Sequence, residues 1–91
     1  MEDNDNHKKI RIRVSFPISA KGPYTAEVSS DTVVETVLVA AMDHFEVQND
    51  PHFTYVLNHD GERQSGTETV GSLAGESDEV KFTLVKIITQ G

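Results

Sequence analysis

Only one stretch of this sequence spaces its apolar residues as a helix does, and it is flanked on both sides by stretches that alternate as strands. Val33, Val34, Val37, Leu38, Ala41, Met42 and Phe45 fall at helical intervals. A lone amphipathic helix has one surface on which to bury its stripe, the apolar face of a sheet, which confines the chain to a two-layer α+β arrangement. The valines lower the intrinsic helix propensity, because branching at Cβ restricts χ1. The periodicity outweighs them. Thr32, with Glu35 three residues on, reads as a capping box, and Asn49-Asp50-Pro51 closes the helix. Val39 and Ala40 fall off the stripe and are expected on the outside.

The strands follow from a period of two. Ile10, Ile12, Val14 and Phe16 alternate with Arg11, Arg13 and Ser15. Pro17 ends this strand, and the Gly-Pro pair within 19–23 marks a turn. Tyr24, Ala26 and Val28 then alternate with polar residues, which predicts an antiparallel hairpin. After the helix, Phe53, Tyr55 and Leu57 form a third strand. Asp60-Gly61 is a tight turn, since both residues tolerate positive φ, and a short strand follows at 62–64. Residues 65–79 are rich in Ser, Gly, Thr and Glu, with Val70 and Leu73 reaching the core from a short helical turn. Val80, Phe82 and Leu84 begin the last strand, which runs on through Val85, Ile87 and Ile88. The first and last strands are predicted to be parallel neighbours. The expected fold is a mixed four- to five-stranded sheet on one α-helix, formed by 10–88. Residues 1–9 carry almost no apolar surface and read as a flexible tail, and 89–91 as a second, extended one.

Composition narrows the function classes. Ninety-one residues with eight Lys and Arg against fifteen Asp and Glu make one small acidic domain of net charge −7. That balance argues against a nucleic-acid or anionic-membrane partner. With no Cys there is no disulfide, thiolate metal site or cysteine nucleophile, which fits a reducing, cytoplasmic setting. No apolar run reaches the roughly 18–20 residues of a membrane span. His7, His44, His52 and His59 lack ligand spacing. There is no nucleophile elbow and no phosphate-binding loop. No residue constellation points to an enzyme, and no cofactor is called for.

The order of elements resembles the β-grasp fold of ubiquitin, and short motifs carry the resemblance further. Val28-Ser29-Ser30-Asp31-Thr32 resembles the Ser-Asp-Thr lead into the ubiquitin helix. Phe53 to Gly61 is similar to its third strand and turn. Thr69-Val70-Gly71-Ser72-Leu73 and then Glu76-Ser77 resemble the segment before its last strand, and the chain stops at a glycine. The match spans residues 10–91. Where ubiquitin ends Gly-Gly after an Arg-containing tail, this chain ends Ile88-Thr89-Gln90-Gly91, which is similar to ubiquitin-like proteins of bacterial conjugation operons, including defence operons.

The resemblance implies a ubiquitin-like protein modifier whose Gly91 carboxylate is activated by an E1-like enzyme. An E2-like enzyme then joins it to target proteins, and a deconjugating peptidase removes it. A terminal residue without Cβ suits a tail that threads a narrow channel. Lys8, Lys9 and Lys21 are the chain-acceptor candidates, with solubility as their plain alternative role. The sheet surface that ubiquitin receptors read maps to Val56 on the third strand and Thr83 on the last. A non-covalent interaction module or complex subunit is the alternative function, and a sulfur carrier a lesser variant of the first.

Overall fold

The structure, a computed structural model, describes residues 8–88. Strand β1 (Lys9–Ser15) pairs antiparallel with β2 (Tyr24–Ser29), and helix α1 (Val34–Phe45) follows. Then come β3 (Phe53–His59), β4 (Glu62–Arg63), the short helix α2 (Val70–Ala74) and β5 (Glu79–Ile88). The sheet order is β2-β1-β5-β3-β4. β5 lies at its centre, parallel to β1 and antiparallel to β3. This is the mixed β-grasp sheet under one long helix expected from the sequence, with α2 as the short helical turn expected around Val70 and Leu73.

One face of the sheet builds the core. Ile10, Ile12 and Val14 of β1, Tyr55 and Leu57 of β3, and Val80, Phe82 and Leu84 of β5 are buried against Val34, Val37, Ala41 and Phe45 of α1. Phe16 joins by edge-on contacts with Phe45 and Tyr55, at centroid distances of 5.3 and 5.8 Å. Val70 of α2 plugs one end and is fully buried. Among the described residues the core holds no buried polar or charged side chain.

The capping box at Thr32 and Glu35 does not form. Helix α1 starts one residue later, with Val33 as its N-cap and no side-chain cap bond. Thr32 is engaged elsewhere: its N–H donates to the Ser29 carbonyl at 3.0 Å, and its carbonyl accepts from Val70 N–H at 2.8 Å. The loop before α2 supplies the missing acceptors. Val34 N–H donates to the Glu68 carbonyl at 2.8 Å and Glu35 N–H to Gly66 at 3.0 Å, so main chain does the work assigned to a side chain. Thr69 is the real side-chain cap, accepting from Ser72 N–H at 3.1 Å at the start of α2. At the far end Glu46 takes φ 61°. Glu46 N–H then reaches the Asp43 carbonyl and Val47 N–H the Met42 carbonyl, a Schellman closure.

The N-terminal boundary moves as well. Lys9 belongs to β1, opposite Ser29, and the Lys8 carbonyl accepts from Ser30 N–H at 2.8 Å. The expectation that both sit on a flexible tail is corrected, because the hairpin ladder carries on past the last alternating apolar residue. The rest of the 1–9 tail, and the 89–91 tail with Gly91, lie outside the described residues.

Candidate functional site

The helix covers one face of the sheet and leaves the other open. Alternation assigns the residues of that open face. Thr25, Glu27 and Ser29 come from β2, and Lys9, Arg11, Arg13 and Ser15 from β1. β5 adds Glu79, Lys81, Thr83, Val85 and Ile87, and β3 adds Thr54, Val56 and Asn58. Register sets the neighbours: Val56 stands opposite Val85, Thr54 opposite Ile87, and Asn58 opposite Thr83.

Of the two residues assigned to a partner surface, Thr83 is exposed on this face. Val56 lies on the same face but is only 6% exposed. Its expected role as an offered contact is corrected: the side chain is packed in, next to Val85. The apolar surface actually presented comes from Val85 and Ile87, both half-buried, and from Ile18, which is 72% exposed. Pro17, Ile18, Thr83 and Val85 line a shallow groove where the β1–β2 turn meets β5. Sequence reasoning passed over these residues. The signal for Val85 and Ile87 was present, since they alternate with Phe82 and Leu84 and so must face away from the core.

The lysines differ in how they are held. Lys21 Nζ donates to the His44 carbonyl and to Glu46 Oε2, both at 2.9 Å. This bond, with the nearby ammonium charge, holds the Glu46 carboxyl below its ordinary value. Lys8 Nζ reaches the Ser77 carbonyl at 3.1 Å. Lys86 Nζ lies 4.1 Å from the centre of the Phe53 ring. Lys9 and Lys81 stand on the open face. Of the three acceptor candidates, Lys8 and Lys21 are thus tied down and Lys9 is exposed in a strand.

The direction of β5 bears on Gly91. Pairing with β1 stops at Thr83, opposite Ser15, while pairing with β3 continues to Ile88, opposite Phe53. The last turns of the strand alternation carry Lys86 and Ile88 past the core, and Ile88 is 68% exposed. The described part of β5 therefore ends on an exposed residue, three positions before Gly91.

On the outer side of α1, Val39 is 61% exposed and Ala40 half-buried, in a hollow shared with Val33, Thr36 and Asp43. His44 Nε2 lies 3.1 Å from the Gly22 carbonyl, and its ring meets Phe45 edge-on. Among the described residues no three metal-ligating side chains gather, and no helix is long and apolar enough to cross a membrane.

No protein-family model matches the sequence, and a search of curated proteins gave no match. Solved structures do match. The ubiquitin of Caldiarchaeum subterraneum is 25% identical, with a TM-score of 0.72 over 91% of this chain and 99% of that one. A structure described as "Molecular Mimicry of SUMO promotes DNA repair" is 16% identical, with a TM-score of 0.65 over 87% of this chain and 92% of that one. The chain has the ubiquitin-like β-grasp fold.

Proposed function

We propose that the chain is a ubiquitin-like protein modifier, joined to target proteins through the carboxyl group of Gly91. The observation that carries this reading is the course of β5. The described part of the central strand ends at Ile88, which is paired to β3 alone and has its side chain in solvent. The likeness to an archaeal ubiquitin over nearly the full length of both chains supports it.

In this reading the chain is not an enzyme. An E1-like partner binds ATP, and a Gly91 carboxylate oxygen attacks the α-phosphorus, expelling pyrophosphate. A partner thiolate then displaces AMP to give a thioester, and a target amine displaces the thiol. The domain contributes a rigid body, a carboxyl end and surfaces for the E2-like enzyme and the deconjugating peptidase. The finer placement, in the cytoplasm and among modifiers of bacterial conjugation or defence operons, belongs to the same proposal and rests on the cysteine-free sequence and on the resemblance of its motifs.

The test is incubation of the full chain with ATP, magnesium and its cognate E1-like activating enzyme. A thiol-sensitive conjugate on a non-reducing gel is expected, abolished by deletion of Gly91. A chain that stays uncharged, or charges equally well without Gly91, rules the reading out in favour of a non-covalent module.

A further inference from the structure

The open face of the sheet carries a charge opposite to that of the molecule. Five cations sit on it: Lys9, Arg11, Arg13 and Lys81, with Arg63 of β4 opposite Asn58. Among the described residues the strands place only two carboxylates on this face, Glu27 and Glu79. Elsewhere among the described residues three lysines stand against ten carboxylates, so an acidic protein presents one cationic side.

Register shows which cations are answered from within the sheet. Arg11 lies opposite Glu27 on one side and Glu79 on the other. One row along, Arg13 lies opposite Thr25 on β2 and Lys81 on β5. Like charges placed directly opposite in a sheet repel, and among the described residues the register puts no carboxylate directly opposite either of them. In the turn after β3 the Asp60 carboxylate lies 3.8 Å from His59 Nδ1. Among the described residues neither Arg13 nor Lys81 makes an ion pair, and both side chains are exposed.

We infer that the Arg13–Lys81 pair is a docking point for an acidic protein segment, with a side-chain carboxylate seated between the guanidinium and the ammonium. Arg13 offers a planar two-donor fork to such a group. A peptide is the occupant rather than a nucleic acid. Glu27 and Glu79 interrupt the cationic row and repel a continuous polyanion, but they leave room for spaced carboxylates. The ten carboxylates on the rest of the domain oppose a long charged backbone in the same way. The inference stands apart from the fate of Gly91, so it succeeds or fails independently of the conjugation reading.

The test uses the full chain and a fluorescein-labelled peptide of five Glu-Thr repeats, with labelled oligo-dT as the competing class. Fluorescence anisotropy gives affinity, and amide shifts in two-dimensional NMR give location. Salt-sensitive peptide binding is expected, with the largest shifts in β1 and β5. Lys81→Glu should weaken it about tenfold or more, whereas the matched charge change Lys86→Glu, on the opposite face of β5, should change it less than about twofold. Lys81→Glu also turns a like-charge pair into an opposite-charge pair, so its melting temperature should rise, which separates lost binding from lost fold. Equal losses in both variants, no peptide binding, or tighter binding of oligo-dT would each overturn the inference.

Discussion

Glu46 shows how one residue can hold two jobs of different origin. Its backbone sits at φ 61°, the left-handed position that closes α1, where glycine is the usual occupant. Its carboxylate accepts from Lys21 of the β1–β2 turn at 2.9 Å and so ties that turn to the helix end. The Lys21 hydrogen bond, and secondarily its charge, lower the Glu46 pKa from an ordinary 4.5. The sign follows from linkage. A carboxyl whose folded pKa is depressed adds stability that is present above its unfolded value and is lost as pH falls through the lower folded one. An NMR titration of the Glu46 carboxyl should therefore have a midpoint below 4.5 in the native chain and return toward that value in Lys21→Met. The effect on stability should be small, because both groups are exposed to solvent. An unchanged midpoint in the variant would mean that the turn and the helix end are not held together in solution.

Among the elements, the strands were legible in the sequence and the start of the helix was not, and the difference is physical. A strand with one buried face writes that face into every second residue. Ile10, Ile12 and Val14, or Val80, Phe82 and Leu84, therefore fix both element and orientation. A helix N-terminus needs acceptors for its first amides, and here they come from the Glu68 and Gly66 carbonyls, some thirty residues away in sequence. Thr32 has the right chemistry at the right spacing, yet tertiary structure supplies a different answer. Val56 went astray for a related reason: alternation gives the side of the sheet, not how far neighbours cover it. The Arg13–Lys81 juxtaposition depends on a parallel register between strands nearly seventy residues apart, which no local pattern encodes. The two threonines give the test. Thr69→Ala removes a working cap and should cost about 1 kcal/mol in urea unfolding. Thr32→Ala removes a side chain without a capping bond and should cost less than about half that. Equal costs would mean that Thr32 caps α1 in solution after all.

For the molecule as a whole, the decisive fact is that the last strand is the central one. β5 separates β1 from β3, so the sheet has no continuous core until residues 79–88 are in place. Along its length the same strand changes role. Val80, Phe82 and Leu84 are 1–2% exposed and join both halves of the sheet to α1. Beyond Thr83 the β1 partner is gone, and by Ile88 the side chain is 68% exposed. On the modifier reading the end has to be separable from the stability of the domain, and the exposure gradient along β5 supports that. Leu84→Ala opens a cavity at the centre and should cost about 2–5 kcal/mol. That is a large part of the total available to so small a domain. Ile88→Ala should stay within about 0.5 kcal/mol, since it removes little buried surface. Urea midpoints of the two variants check the contrast. If Ile88→Ala proved as damaging as Leu84→Ala, the outgoing end of β5 would belong to the core, and pulling on it would unfold the domain instead of presenting its terminus.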